Sequence, residues 1–170
     1  AHLNLGDLLL SLAESQPEPD KARAYHERAV AEYDRVLEER PTSVEAVNNK
    51  AWILHSSLGR GQEALELIQG LLERVDNATL PGEFYDTLGA IQEAVGRPVD
   101  AEKSYQTGLE RSPDLAVLHY HYGKLIATDK SRGARAKDHL AKAIAAREQL
   151  SPAMAEDAVR LVQQIGADGS

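Results

Sequence analysis

Apolar residues recur along the chain at the three- and four-residue spacing of amphipathic helices. Two such stripes are Phe84, Leu88, Ile91, Val95 and Val47, Ala51, Leu54, Leu58. Side chains at this spacing share one face of a helix. No segment shows the sustained alternation of a β-strand, so the pattern predicts an all-α protein.

Proline and glycine interrupt the stripes at intervals, while the segments between them are rich in Ala, Leu, Glu, Lys and Arg. Such punctuation marks the turns between helices. The predicted helices are 1–14, 20–39, 43–57, 62–74, 81–95, 98–110, 113–128, 133–148 and 152–165. Their predicted start signals are a capping box of Thr42 with Glu45, a cap before a first-turn proline at Ser112-Pro113 and Ser151-Pro152, and Pro98 in the same slot.

The helices repeat in pairs. Aligning the second helix of each pair brings Ala29, Ala64, Ala101 and Ala136 into register, at separations of 35, 37 and 35 residues. Four residues later come Tyr33, Ile68, Tyr105 and Leu140. In the first helices, the aligned positions are Leu5-Gly6, Lys50-Ala51, Leu88-Gly89 and Tyr122-Gly123. A repeat of this length with two helices per unit predicts an α-solenoid.

These positions resemble the tetratricopeptide repeat (TPR) family, whose unit carries Leu-Gly in its first helix, Ala and then an aromatic residue in its second, and a closing proline. The best-matching unit is residues 87–113. The resemblance implies a right-handed superhelix of about four helix-turn-helix units in a single domain of residues 1–170, with units at about 1–41, 42–77, 78–113 and 114–148 and a capping helix at 152–165. The segments NNKAW, YDTLGAI, LHYHYGKL and ARAKDHL also resemble TPR proteins associated with bacterial exopolysaccharide export and protein sorting.

Small residues at the aligned positions predict where the two helices of a pair approach closely. Helix axes come within roughly 8–9 Å of each other only where the crossing side chains are small. We expect Gly6, Ala51, Gly89 and Gly123 to meet the four aligned alanines, with the larger residues four positions later filling the space between successive pairs.

Charge and composition exclude several classes of function. The net charge is −8 and there are no cysteines, so phosphate backbones and anionic lipid are disfavoured as partners and thiol chemistry is absent. No apolar run approaches the ~20 residues that span a bilayer. The chain starts at Ala1 and ends in Gly-Ser, so we expect a fragment from which targeting signals could have been removed; cytoplasm and bacterial periplasm both stay open.

The stretch 117–125, VLHYHYGKL, contains two of the six histidines. On a strand His119 and His121 would point the same way, but on a helix they lie about 200° apart and cannot share a metal. No other histidine has a metal-ligating partner at i+4, and the sequence contains no recognisable nucleophile and base. We therefore predict no catalytic, cofactor or metal site, although a metal held by distant histidines stays open.

A partner would occupy the concave surface that the first helices form in such an array. The predicted groove residues are Glu45, Asn48, Trp52, His55, Glu83, Asp86, Glu93, Tyr120 and Lys124, with Leu3, Asp7 and Leu10 as the matching stripe of the first unit. Aromatic residues at the flanks and carboxylates between them would suit a peptide with an apolar anchor and a basic residue. Alternatively, Trp52 fills space between units and the carboxylates only keep the groove hydrated.

The leading hypothesis is a non-enzymatic module that binds a protein or peptide in its groove. The alternative is a structural segment of a larger scaffold or bacterial envelope assembly that contacts its neighbours through its ends, and catalysis is a third. Chaperone-binding TPR proteins grip a terminal carboxylate with cationic and amide side chains. Because Glu45, Glu83 and Asp86 lie where those cations would be needed, that activity is not expected here.

Overall fold

A computed structural model describes residues 1–168. Within them the chain forms nine α-helices: α1 (His2–Glu14), α2 (Pro19–Glu39), α3 (Val44–Ser56), α4 (Gly61–Leu72), α5 (Gly82–Ala94), α6 (Pro98–Arg111), α7 (Ala116–Ile126), α8 (Gly133–Ala145) and α9 (Pro152–Asp168). Short 3₁₀ turns at Asn77–Thr79, Lys130–Arg132 and Arg147–Gln149 lie between them. The all-α prediction is confirmed, and every predicted helix end lies within three residues of the observed one.

Two of the predicted start signals are wrong in detail. The α3 cap is Ser43 instead of Thr42, because the Ser43 hydroxyl accepts a hydrogen bond from the Ala46 amide at 3.4 Å. Helix α7 begins at Ala116 instead of Pro113, with Leu115 as its cap. The Pro113 carbonyl is paired with the His119 ring at 2.8 Å, so it takes no part in a first helical turn. At α9 the prediction is correct, since Ser151 Oγ accepts from the Met154 amide.

Consecutive helices pack in pairs, α1 with α2, α3 with α4, α5 with α6 and α7 with α8. The chain divides into two compact halves, each larger than one predicted repeat. Unit 1, Ala1–Leu80, contains the first two helix pairs, and unit 2, Pro81–Ser170, contains the last two pairs and α9. A single domain with the predicted unit limits, and a right-handed superhelix, stay predictions.

The four aligned alanines are equivalent in the structure. Ala29, Ala64, Ala101 and Ala136 are each 0% exposed, and so are the four larger residues that follow them, Tyr33, Ile68, Tyr105 and Leu140. Full burial at the same two positions of every second helix is what the repeat alignment predicts.

The close approach within a pair differs from the prediction in its partner. A Cβ atom added at Gly6 would lie 2.8 Å from the Tyr33 ring, and one added at Gly123 would lie 2.9 Å from Leu140 Cγ. The larger residue of the second helix, and not the alanine, therefore lies over the glycine of the first. The reason is geometric, because the longer side chain projects across the crossing and needs the space that a missing Cβ leaves.

Each unit also packs the first helix of its later pair onto the second helix of the pair before it. In unit 2, Leu118, Tyr122 and Leu125 of α7 join a buried cluster with Ala101 and Tyr105 of α6. In unit 1, Lys50 of α3 forms an ion pair with Asp34 of α2, with the two charged atoms 2.5 Å apart.

Helix α9 covers the end of unit 2, as a capping helix is expected to do. Ala158 is buried in a cluster with Tyr120, Leu140 and Ala143. The opposite side of the helix carries exposed residues, among them Glu156 and Arg160.

Filling the crossing at Gly89 is expected to destabilise unit 2. A Cβ atom there would lie 2.6 Å from Tyr105 Cδ1, and the ring is fully buried and has no room to retreat. Gly89→Leu should therefore lower the free energy of unfolding by roughly 1–3 kcal/mol, measured by urea denaturation.

Gly70→Ala is the matched control in helix α4, since an added Cβ there meets nothing within 4 Å. It should stabilise the protein by up to about 1 kcal/mol through helix propensity alone. Equal unfolding midpoints for the wild type and Gly89→Leu would contradict the crossing geometry.

Candidate functional site

In unit 1 the predicted groove residues lie along one face of α3. Glu45 is exposed, while Asn48, Trp52 and His55 are half-buried. The rings of Trp52 and His55 meet edge to face, with centroids 6.0 Å apart. Trp52 is therefore held by a neighbour and still partly open to solvent.

Asn48 has a polar atom without a partner on this face. Its side-chain Oδ1 is buried and accepts no hydrogen bond from the described residues, while its Nδ2 makes a 3.5 Å contact with Asn49 Oδ1. Buried polar atoms are nearly always hydrogen-bonded in folded proteins, so an unsatisfied acceptor calls for an explanation.

The next residue, Asn49 of α3, takes part in a hydrogen-bond network that connects α1, α2 and α3. Its amide donates to Asp7 Oδ1 at 3.1 Å, and the Tyr33 hydroxyl donates to the same oxygen at 2.7 Å. Burial and the bond to Asp7 raise the pKa of Tyr33, so its hydroxyl stays protonated and remains a donor. Asp7, predicted as part of the open stripe, is in this way joined to α2 and α3.

In unit 2, two of the three predicted carboxylates are used inside the protein. Asp86 is 6% exposed, and its Oδ1 lies 2.8 Å from His121 Nδ1 on α7. Glu93 accepts from the Tyr105 hydroxyl at 2.6 Å. Only Glu83, at the start of α5, is exposed. Asp86 and Glu93 therefore connect neighbouring helices, a role that differs from both recognition and hydration.

Tyr120 and Lys124 meet a residue that the sequence interpretation missed. Asp157 of α9 accepts from the Tyr120 hydroxyl at 2.7 Å and from Lys124 Nζ at 2.9 Å, and it also pairs with Arg160. Tyr120 is 5% exposed and cannot act as an open flank of a groove. Lys124 keeps about half of its side chain exposed. Asp157 lies in the segment assigned only a capping role, so no motif identified it.

Hydrogen bonds determine the charge states in this cluster. Burial by itself would raise the pKa of Asp157, but hydrogen bonds from Tyr120, Lys124 and Arg160 hold it well below its usual range. Burial would lower the pKa of Lys124, but its bonds to Asp157 and Tyr120 raise it. The pair is therefore ionised at neutral pH and fastens α7 to α9.

The two histidines of the 117–125 stretch have separate partners, as their helical spacing predicts. His121 pairs with Asp86, whereas His119 Nδ1 lies 2.8 Å from His139 Nδ1 on α8. The Pro113 carbonyl can only accept, so His119 Nε2 carries a proton and His139 Nδ1–H donates to His119. Within residues 1–168 no group of three or more His, Asp or Glu side chains is placed to hold a metal ion.

Solved structures of TPR proteins match this chain over most of its length. TTC0263, a thermophilic TPR protein in Thermus thermophilus, is 21% identical, with a TM-score of 0.70 over 95% of this chain and 83% of that one. The MamA protein is 16% identical, with a TM-score of 0.63 over 96% and 87%. YrrB, a TPR protein with an unusual peptide-binding site, is 19% identical, with a TM-score of 0.61 over 98% and 86%. No family model and no curated protein matches the sequence.

The chain therefore has the TPR fold, an all-α architecture of helices packed in sequential pairs, as the sequence resemblance implied. This fold is typically a protein- or peptide-binding module and is generally non-catalytic. No helix of residues 1–168 is long and apolar enough to cross a membrane. The resemblance to proteins of exopolysaccharide export and protein sorting stays a prediction.

The histidine pair of His119 and His139 should make stability depend on pH. Burial, together with His119, Lys142 and Arg135, lowers the pKa of His139 to about 4, against the opposing charge of Asp138. Because the unfolded chain binds this proton near pH 6.5 and the folded chain only near 4, stability should fall as pH decreases between these values. NMR titration of the His139 ring should give a pKa near 4.

His139→Asn keeps a donor toward His119 and removes the titrating ring. The variant should lose part of the stability change between pH 6.5 and 4 that the wild type shows in urea denaturation. Identical pH profiles for the two proteins, or a His139 pKa near 6.5, would contradict this account.

Proposed function

We propose that the chain is a non-enzymatic module that binds a protein or peptide partner along the face of its first helices. Support comes from the fold, which typically serves such binding, and from the polar and aromatic residues that this face leaves accessible.

The observation that carries the proposal is the partly open aromatic surface of Trp52 on the face of α3 that also carries exposed Glu45. Asn48 lies between them, about one helical turn from each. Its side-chain oxygen is buried and unpaired, and it becomes an acceptor for an N–H group of a partner once the amide rotates toward the surface. The three side chains suit a segment with a backbone or side-chain donor, an apolar residue and a basic residue.

Unit 2 supports a narrower form of the sequence hypothesis. With Asp86 and Glu93 paired internally and Tyr120 buried, the accessible charged groups of the predicted set are Glu83 and Lys124. A substitution at Asp86 would break its pair with His121, so it is unsuitable as a test of binding. Recognition by this unit is proposed through Glu83 on α5 and Lys124 on α7, the two charged groups that stay accessible.

The experiment is selection of peptides from a random display library on the full chain, followed by affinity measurement of the enriched peptides. We expect enrichment of basic residues near an aromatic or aliphatic one. Trp52→Ala together with Glu45→Lys should weaken binding at least tenfold, because it removes the aromatic surface and reverses the charge.

Glu38→Lys is the matched control, since Glu38 is also an exposed carboxylate but lies on the second helix α2. It should leave affinity unchanged, and circular dichroism should show unchanged helix content in all variants. Peptides that bind the double variant as tightly as the wild type would refute the proposed face.

Trp52 is the only tryptophan of the chain and reports directly on this face. A selected peptide that packs on the ring should shift its fluorescence emission to shorter wavelength and reduce quenching by acrylamide, because the ring leaves water. An emission spectrum and quenching constant that do not change at saturating peptide would place the binding elsewhere.

The second candidate function, a structural segment that contacts neighbours through its ends, is favoured by a different observation. Leu5, Leu8 and Leu12 of α1 are exposed. Terminal faces of isolated repeat arrays are ordinarily polar, so exposed leucines at one end suggest a covered surface.

A further inference from the structure

One side of helix α1 carries a row of exposed leucines. Leu5 is 40%, Leu8 56% and Leu12 37% exposed. Their spacing of three and four residues places them along one face of the helix. Among residues 1–168, five large apolar side chains are exposed to this degree, and three of them lie in this row. Exposed apolar surface is therefore concentrated on α1.

The repeat register identifies what this face does elsewhere in the chain. With Gly6 aligned to Ala51, Gly89 and Gly123, Leu8 corresponds to Ile53, Ile91 and Leu125. Those residues are 0%, 0% and 9% exposed, against 56% for Leu8. The same position is thus buried in the other three first helices and open in α1.

The Leu5 position shows which element covers it. Its equivalents are Lys50, Leu88 and Tyr122, and the two polar ones have a partner on the helix before. Lys50 binds Asp34 of the preceding α2, and the Tyr122 hydroxyl accepts from Gln106 of the preceding α6 at 2.9 Å.

Asp34 and Gln106 are themselves equivalent, because each lies five residues after the crossing alanine of its helix, Ala29 or Ala101. The contact is therefore a repeated feature of both units, made by the second helix of the pair that comes before.

We propose that the Leu5–Leu8–Leu12 face is an interaction surface for the second helix of a further TPR-type pair, supplied by a chain segment outside residues 1–170. It continues the interface that α3 makes with α2 and α7 makes with α6. Lysine faces aspartate and tyrosine faces glutamine at this contact. Leucine offers no polar group, so the docking helix presents apolar side chains, or the alkyl part of a longer one, to the Leu5–Leu8–Leu12 face.

A second copy of the chain is the competing occupant. The fifth position of its four second helices is Asp34, Gln69, Gln106 and Ala141. Asp34 and Gln106 are engaged by Lys50 and Tyr122, and α9 already packs against α8, the helix of Ala141. That leaves α4, the helix of Gln69, so self-association is an outcome that the experiment must be able to detect.

The test extends the full chain with a copy of its own first helix pair. A copy of residues 1–45 placed before Ala1 keeps the repeat register, since Ala51 lies six residues after 45 and Gly6 six residues after the junction. Four proteins combine Asp34 or Asp34→Leu in the copy with Leu5 or Leu5→Lys in the original α1. Each has the same outer end, so solubility is matched.

Matched pairings should be the stable ones. Asp34→Leu opposite Leu5, and Asp34 opposite Leu5→Lys, should melt at least roughly 2 °C above the two mismatched proteins. Hydrogen exchange of the α1 amides should slow at least tenfold in the matched extensions relative to the unextended chain. No dependence of melting temperature on the pairing would overturn the proposal.

Sedimentation of the unextended chain tests whether a second copy of the chain binds this face. A monomer across the concentration range is expected. Self-association that Leu8→Lys abolishes would overturn the assignment in favour of a second copy. The Trp52 peptide experiment is the independent measurement: if peptides still bind through α3 while the extensions show no pairing dependence, only the end-face inference fails.

Discussion

The fold depends on one steric exchange, in which a large side chain of the second helix occupies the space that a small residue of the first helix leaves open. Tyr33 lies over Gly6, and Tyr105 lies over Gly89. Leu140 lies over Gly123 in the last pair. In the second pair the residues are Ala51 and Ile68, each fully buried. A larger residue at the small position has no free volume to enter, because each covering side chain is itself fully buried.

The same exchange brings polar groups into the interior, and these determine how the helices connect. A buried tyrosine hydroxyl needs a hydrogen-bond partner, and the first helix supplies it as Asp7 for Tyr33 and Glu93 for Tyr105. Carboxylates that look like surface charges in the sequence thus serve as acceptors for buried rings. The net charge of −8 is therefore only partly available for recognition.

The sequence could predict the features that depend on local spacing but not the polar contacts between distant residues. Helix periodicity and the alanine register identified the fold, because both depend on local spacing that repeats along the chain. The partners of Asp86, Glu93 and Tyr120 could not be found in this way, since each bond joins residues separated by between 12 and 37 positions. The start of α7 was missed for a similar reason, because the Pro113 carbonyl is bound by the ring of His119 from within the helix.

The contact at the Leu5 position differs in chemistry from one helix pair to the next. Lys50 with Asp34 is an ion pair, Tyr122 with Gln106 is a hydrogen bond, and Leu5 presents only hydrocarbon. A mispaired helix would leave a half-buried charge or hydroxyl opposite a group that cannot satisfy it, which destabilises the wrong arrangement more than any contact stabilises the right one. Side-chain chemistry at this contact is therefore a means of distinguishing one neighbour from another.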